Sequence, residues 1–465
     1  MIRGIDWAEP RPWLVAFAAL GLPLCLLLAI LVPLGEVADE SAHLLRAVAL
    51  LDGQIVGHRE TVTYSDGLTR SAAGVTLDPA WEILSRGRPP APHRNPVPDP
   101  SPAPGHPAFL PLYTIGTYFP GFYVPAPLGI GTGQVLRLSR PEAAMLGRLA
   151  NAAAYGALGL LALGLARRGR ALLFGTLMVP MSLSLAASFN QDALMIAACA
   201  LAAALLTGDS AWRRRLAAGL IALVVLAKPP YAAIAAMLLV PLPPRFWASP
   251  VFWRRMSTTV LVVLPGALWI LYTTLFVATP VPRFPYEAGP LWTGPRPASF
   301  IGTDTRAQAL VLLSHPSLLL SLPANCLFAF KHAVLLAAGA IGIFGWHDKA
   351  LPFPIYAAWV AGAIGLAGLC RAIIRPRWAD LTLLGFAAVL TAWLIALSQY
   401  LSWTDVGEVQ IYGPQGRYFL PLIPMLALAF EQVAPPPRAR WAFALAATVA
   451  ALDLVVVPFA VLRMS

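Results

Sequence analysis

Charged and hydrogen-bonding residues are sparse in this chain, and a few groups of them have the types and spacing that chemistry requires. The first is Glu36, Asp39, Glu40, His43 and Arg46, directly after a long apolar run. In a helix over Ala38–Leu51, Asp39, His43 and Arg46 fall at i, i+4 and i+7 on one face, with Leu44, Leu45, Val48 and Leu51 on the apolar side. A carboxylate at the mouth of a membrane cavity suits a general base, which takes the proton of an attacking hydroxyl. The same acids would also complement the dipole of a helix N-terminus and cap its free N–H groups, and spacing does not separate the two uses. Asp39 and His43 alone are two ligands, too few for a metal site.

Further along, Asn190, Gln191 and Asp192 interrupt two apolar runs, as a polar turn with Asp192 as a helix cap or as part of a site. Lys228 stands before Pro229-Pro230 inside an apolar segment, where an ionisable group is costly and either pairs, works or snorkels to the interface. Gln415-Gly416-Arg417-Tyr418-Phe419 opens a late apolar run. The Arg417 guanidinium is a fork-shaped permanent cation suited to phosphate oxygens or to an interfacial anchor, and Gly416 permits close backbone approach.

The elements that must position these groups are membrane spans. The chain is 58% hydrophobic and only 12% charged, about half the charge of a soluble domain. Apolar stretches of the length that crosses a bilayer recur at about 12–34, 121–138, 143–166, 171–189, 192–207, 216–240, 256–279, 307–324, 327–345, 352–373, 379–400, 416–432 and 441–462. The expectation is an all-α polytopic membrane protein, a single domain over 1–465 with 11–13 transmembrane helices. The stretch 307–324 could instead lie in the interface. The first apolar run exceeds a signal-peptide core and lacks a cleavage motif, so it reads as an uncleaved span.

Three polar stretches separate the spans: a long first loop at 35–118 with short helices and a Pro/Arg-rich coil at Arg86–Pro107, a second loop at 280–306, and Ser402–Arg417. Arg3 and Arg11 predict a cytoplasmic amino terminus, which puts all three stretches on the outer face. The same count places the arginine clusters at 167–170 and 213–215 outside as well, against the positive-inside tendency. A net charge of +11 distributed in such short clusters suits anionic lipid headgroups, and without a basic stripe interleaved with aromatics it argues against nucleic acid. Cys25, Cys199, Cys326 and Cys370 all lie in apolar runs and read as small buried hydrophobes.

Ordered motifs add a resemblance. Asp39-Glu40-Ser41-Ala42-His43, Tyr118-Phe119-Pro120-Gly121-Phe122-Tyr123-Val124-Pro125, Arg148-Leu149-Ala150-Asn151, Pro180-Met181, Ser188-Phe189-Asn190-Gln191-Asp192-Ala193, Lys228-Pro229-Pro230-Tyr231, Gly345-Trp346-His347-Asp348 and Gln415-Gly416-Arg417-Tyr418-Phe419-Leu420-Pro421 follow one another in the chain. Together they resemble the bacterial membrane-protein family of domain of unknown function 2142. Gly121 stands where that pattern has a second proline, and His347 where it has leucine.

That family is similar to the GT-C superfamily of membrane glycosyltransferases, which implies transfer of a sugar from a polyprenyl-phosphate donor to a glycan or lipid acceptor outside the bacterial inner membrane. The resemblance implies Asp39 or Glu40 as general base and Arg417 as the phosphate-binding residue, with Lys228 second. It implies Trp346 and Asp348 at the sugar, and Tyr123, Asn190 and Asp192 in support of the cavity. His43, Arg46, Gln415 and Tyr418 complete the expected substrate-binding set. No organic cofactor is implied, and Mg²⁺ or Mn²⁺ is left open. Two other classes compete, a transporter or flippase of a lipid-linked glycan and a non-catalytic polysaccharide-assembly protein. Acids concentrated in loops, with Asp453 an exception, favour a site at one face over a transport path.

Overall fold

A computed structural model describes residues 9–64, 66–85, 105–371, 374–432 and 439–464. Arg3, Arg438 and most of the Arg86–Pro107 segment lie outside the described residues. The chain is an all-α polytopic membrane protein. Among the described residues, five helices of 21 to 27 residues are long and apolar enough to cross a bilayer: Arg11–Leu31, Arg140–Leu165, Pro250–Phe276, Trp378–Ser402 and Arg440–Arg463. At about 1.5 Å per residue each exceeds the roughly 30 Å hydrocarbon core.

The other expected spans are shorter or broken, and proline explains most of the breaks, since it lacks an N–H and clashes with the preceding turn. The stretch 171–189 divides at Pro180 into Arg170–Met178 and Pro180–Ala186. The stretch 216–240 stops at Lys228 and continues as a 3₁₀ helix, Pro229–Leu239. The stretch 416–432 is two short 3₁₀ helices, Gly416–Leu422 and Pro424–Ala429. The segments Thr305–Ser314 and Leu318–Phe328 meet at a bend of 107°.

Where these broken segments sit follows from the solvent. Lipid offers no hydrogen bonds, so irregular backbone at membrane depth survives only when protein covers it or a cavity wets it. Accordingly the helix Asp192–Leu206 is buried along its whole length, while Pro250–Phe276 shows an exposed stripe of Val260, Leu261, Leu264, Leu268, Leu271 and Leu275 that suits lipid contact.

The first loop is more structured than expected. Besides the helices Glu40–Leu51 and Ala80–Ser85 it holds an antiparallel sheet, His58–Thr63, Thr69–Leu77 and Ala108–Pro111, with Thr69–Leu77 central. Leu44, Leu45 and Val48 of the helix pack with Val75, Leu77 and Leu110 of the sheet in one apolar core. The three polar stretches join into a single cap. Arg70 donates to the carbonyls of Ala298 and Ser299, Ala73 N–H donates to Thr279 Oγ1 at 2.8 Å, and Gly289 N–H donates to Val406 O at 2.7 Å.

At the other end the arginine clusters gather and cap helix carbonyls. Arg213 and Arg170 donate to Leu165 O and Leu163 O, Arg214 and Arg255 converge on the carbonyls of residues 238–241, and Arg168 donates to Leu428 O. Counting spans from the sequence puts the clusters at 167–170 and 213–215 on the same face as the loops. The structure corrects this: Arg140–Leu165 begins at the cap, where Arg140 meets Asp78 at 2.5 Å, and delivers Arg167 to the opposite end. The miscount came from treating two short or broken segments as full crossings.

Candidate functional site

The broken inner segments end at one place, and their ends carry the charges. Asp39 precedes the Glu40–Leu51 helix with φ of 64°, a left-handed conformation that aspartate tolerates better than most residues. Asp192 opens the buried Asp192–Leu206 helix, whose positive dipole end favours its charge. Lys228 occupies the extended residue that Pro229 enforces. Arg417 lies in the 3₁₀ turn Gly416–Leu422.

These four form an alternating network. Arg417 donates Nη2 to Asp39 Oδ2 and Nη1 to Ala38 O at 3.0 Å, and its Nε lies 3.6 Å from Asp192 Oδ2. Lys228 donates Nζ to Asp192 Oδ1 at 2.5 Å. The Lys228 ammonium sits 4.8 Å from the Tyr418 ring centre and 5.6 Å from that of Tyr118, within cation–π range. Asn190 accepts the Asp192 N–H at 2.9 Å and donates to Ala38 O, and so ties the two aspartate-bearing turns together.

All four charges line a cavity of about 470 Å³, within the range of small-molecule sites. From the cluster it runs past Tyr118 and Tyr418 to Trp269, Ile270 and Thr273 of one span and Ile395, Ser398 and Gln399 of another. One end is ionic, and the rest of the wall mixes aromatic and apolar side chains with hydroxyls such as Thr273 and Ser398 and the Gln399 amide.

Of the expected site residues, Asp39, His43, Asp192, Lys228, Gln415, Arg417 and Tyr418 line this cavity, whereas Glu40, Arg46, Tyr123, Asn190, Trp346 and Asp348 do not. Glu40 is fully buried, and Arg148 grips both its oxygens at 2.7 Å. The same guanidinium caps the first span through the carbonyls of Ala29, Val32 and Pro33, and Glu40 also accepts Gly35 N–H at 2.9 Å. Its carboxylate is an anchor between the first span and the cap, and of the two adjacent acids Asp39 is the one that lines the cavity. Arg46 turns to the carbonyls of Gln54, Ile55 and Tyr118 and braces the loop. Tyr123 supports from behind, its hydroxyl 2.5 Å from His43 Nδ1. Asp348 accepts Trp346 N–H at 2.9 Å within the turn Gly345–Lys349, and Trp346 Nε1 donates to Gly35 O at 3.3 Å, so both hold the edge of the cap.

Gly416 proves necessary for a neighbour. A Cβ there would stand 2.1 Å from Leu336 O and 2.2 Å from Ala340 N of the helix Phe330–Gly342. We expect Gly416→Ala to push Arg417 off the cluster and to lower the melting midpoint of the purified protein by several degrees, for about 1–3 kcal/mol of overpacking. An unchanged midpoint would refute the close packing.

Burial pushes the His43 imidazole down to about 3 and also lowers His347, where Arg417 adds to the effect. The unfolded chain takes the His43 proton near 6.5 while the folded one refuses it down to about 3. Stability therefore falls as pH drops below about 6.5, by up to roughly 1.4 kcal/mol per pH unit. Melting scans from pH 7 to 5 should show that decline, flattened in His43→Gln; equal slopes for the two proteins would exclude His43 as its source.

Sequence reasoning missed three contributors. Arg148 and Tyr118 fall within the ordered motifs, which give them no role. Trp269 gave no signal, because an aromatic in a span is ordinarily core or interface. Among the described residues, no group of three His, Cys, Asp or Glu side chains is arranged to hold a metal, and in the cluster both aspartates face cations.

The fold and site define a class, a polytopic α-helical membrane protein whose charged cavity lies beneath an extramembrane cap. The chain belongs to the family described as predicted membrane protein (DUF2142), which matches residues 22–426 and thus every member of the cluster. No curated protein and no solved structure matches the chain.

Proposed function

We propose that this protein is a membrane glycosyltransferase that takes a sugar from a polyprenyl-phosphate donor and passes it to an envelope glycan or lipid acceptor on the extracytoplasmic side of a bacterial inner membrane. The observation that carries the reading is the convergence of Asp39, Arg417 and Lys228 on one cavity whose wall also carries aromatic and apolar side chains. A cation pair suits a phosphate, a carboxylate beside it suits a hydroxyl acceptor, and the wall suits an isoprenoid. The basic clusters at the end opposite the cap support a cytoplasmic amino terminus.

The reaction is a single displacement. Asp39 takes the acceptor's hydroxyl proton, and the oxygen's electron pair forms the new bond to the anomeric carbon. The bond from that carbon to the phosphate oxygen breaks with inversion, and its pair leaves on polyprenyl phosphate. Arg417 and Lys228 stabilise the charge that grows there.

The test offers labelled polyprenyl-phosphate sugars and membrane acceptors to purified protein in lipid nanodiscs, with Asp39→Asn and Arg417→Ala beside the parent. Transfer by the parent that both variants lose is the expected result. Absence of transfer with every donor, or variants equal to the parent, removes the reading; flipping of a lipid-linked glycan by parent and variants alike would make the protein a transporter.

A further inference from the structure

Arg417 is neutralised by two aspartates that are held in different ways. Asp192 has a side chain 4% exposed and is fixed by Lys228 and by the end of a buried helix. Asp39 has a side chain 35% exposed, lines the cavity, and accepts from Arg417 Nη2. The remaining guanidinium donors are not interchangeable with that one. Nη1 is committed to Ala38 O, and Nε makes no hydrogen bond. Nη2 is the donor held by the more exposed aspartate, so an incoming anion competes with Asp39 for it.

The charge count points the same way. Asp39, Asp192, Lys228 and Arg417 sum to zero, so a closed cluster offers an anion little net attraction. An anion gains a full cation only when one carboxylate yields, and Asp39 is the one with room to move. Its exit also delivers a free carboxylate to the cavity.

We infer that Asp39 is an exchangeable counter-ion: the donor's phosphate replaces it on Arg417, and the released carboxylate becomes the base once the donor is bound. The inference rests on the reading above and adds an order to it, donor before deprotonation. Without donor, Asp39 stays paired to Arg417 through Oδ2, so any hydroxyl that enters meets a carboxylate already engaged by a cation.

The test is a binding measurement with no turnover in it. Farnesyl phosphate is titrated into the full chain in phosphatidylcholine nanodiscs. Asn and Gly both accept the left-handed conformation of residue 39, so Asp39→Asn and Asp39→Gly remove the competing charge without straining the backbone. Both should bind the probe about tenfold more tightly than the parent, although the Asn variant has lost transfer. Arg417→Ala should bind at least roughly tenfold more weakly. If the two Asp39 variants bind as the parent does or more weakly while Arg417→Ala still weakens, the exchange is overturned and the transferase reading stands. If Arg417→Ala binds as the parent does, the phosphate assignment falls and the exchange falls with it.

Discussion

Asp39→Asn is expected to lower glycosyl transfer by at least about a hundredfold, the lower part of the range that general bases contribute, while the protein remains folded and binds donor. The amide is nearly isosteric and keeps an oxygen for Arg417, so the contact at Nη2 survives as a neutral hydrogen bond. What is lost is the ability to take a proton. The acid-to-amide change at residue 40, Glu40→Gln, should behave in the opposite manner, since Glu40 is sealed by Arg148 and does not line the cavity. Rates and melting midpoints measured together separate the cases: residue 39 should change the rate far more than the midpoint. A substantial rate for Asp39→Asn would show that another group accepts the proton.

Glu40→Gln and Arg148→Ala should each destabilise the protein by about 3–5 kcal/mol, because each leaves a buried charge without its partner. Against a typical total of roughly 5–15 kcal/mol that is a large share, and loss of expression is the expected sign. Arg148→Ala additionally strands the carbonyls of Ala29, Val32 and Pro33 at the end of the first span. The pair is coupled, so the double variant should cost less than the sum of the singles. Thermal melting in detergent measures this, and additive costs would show that the two side chains act independently.

The cluster was largely legible in the sequence because ionisable groups are costly in apolar surroundings and stand out there. Asp39, Asp192, Lys228 and Arg417 all stand out by residue type and by the apolar runs around them. The division of labour between Asp39 and Glu40 was not legible. Adjacent residues at a helix start point in different directions, and their roles depend on which distant arginine packs against each. For Glu40 that arginine lies 108 positions away and for Asp39 378 positions away. The sheet in the first loop was missed because its short strands lie among turn residues and its pattern is weak beside the spans.

By itself, then, the sequence determined that the chain is an all-α membrane protein, where its polar loops fall, and which few charges it carries into apolar surroundings. Composition and run length suffice for this, since the bilayer selects on both. Tertiary structure alone decided which apolar runs cross unbroken, which end carries the arginine clusters, and which carboxylate meets the cavity. A hydropathy window sums side-chain character and is blind to the hydrogen bonds that Pro180, Pro229 and Pro230 interrupt. Those interruptions are covered by neighbouring helices from elsewhere in the chain, and there the four charges meet.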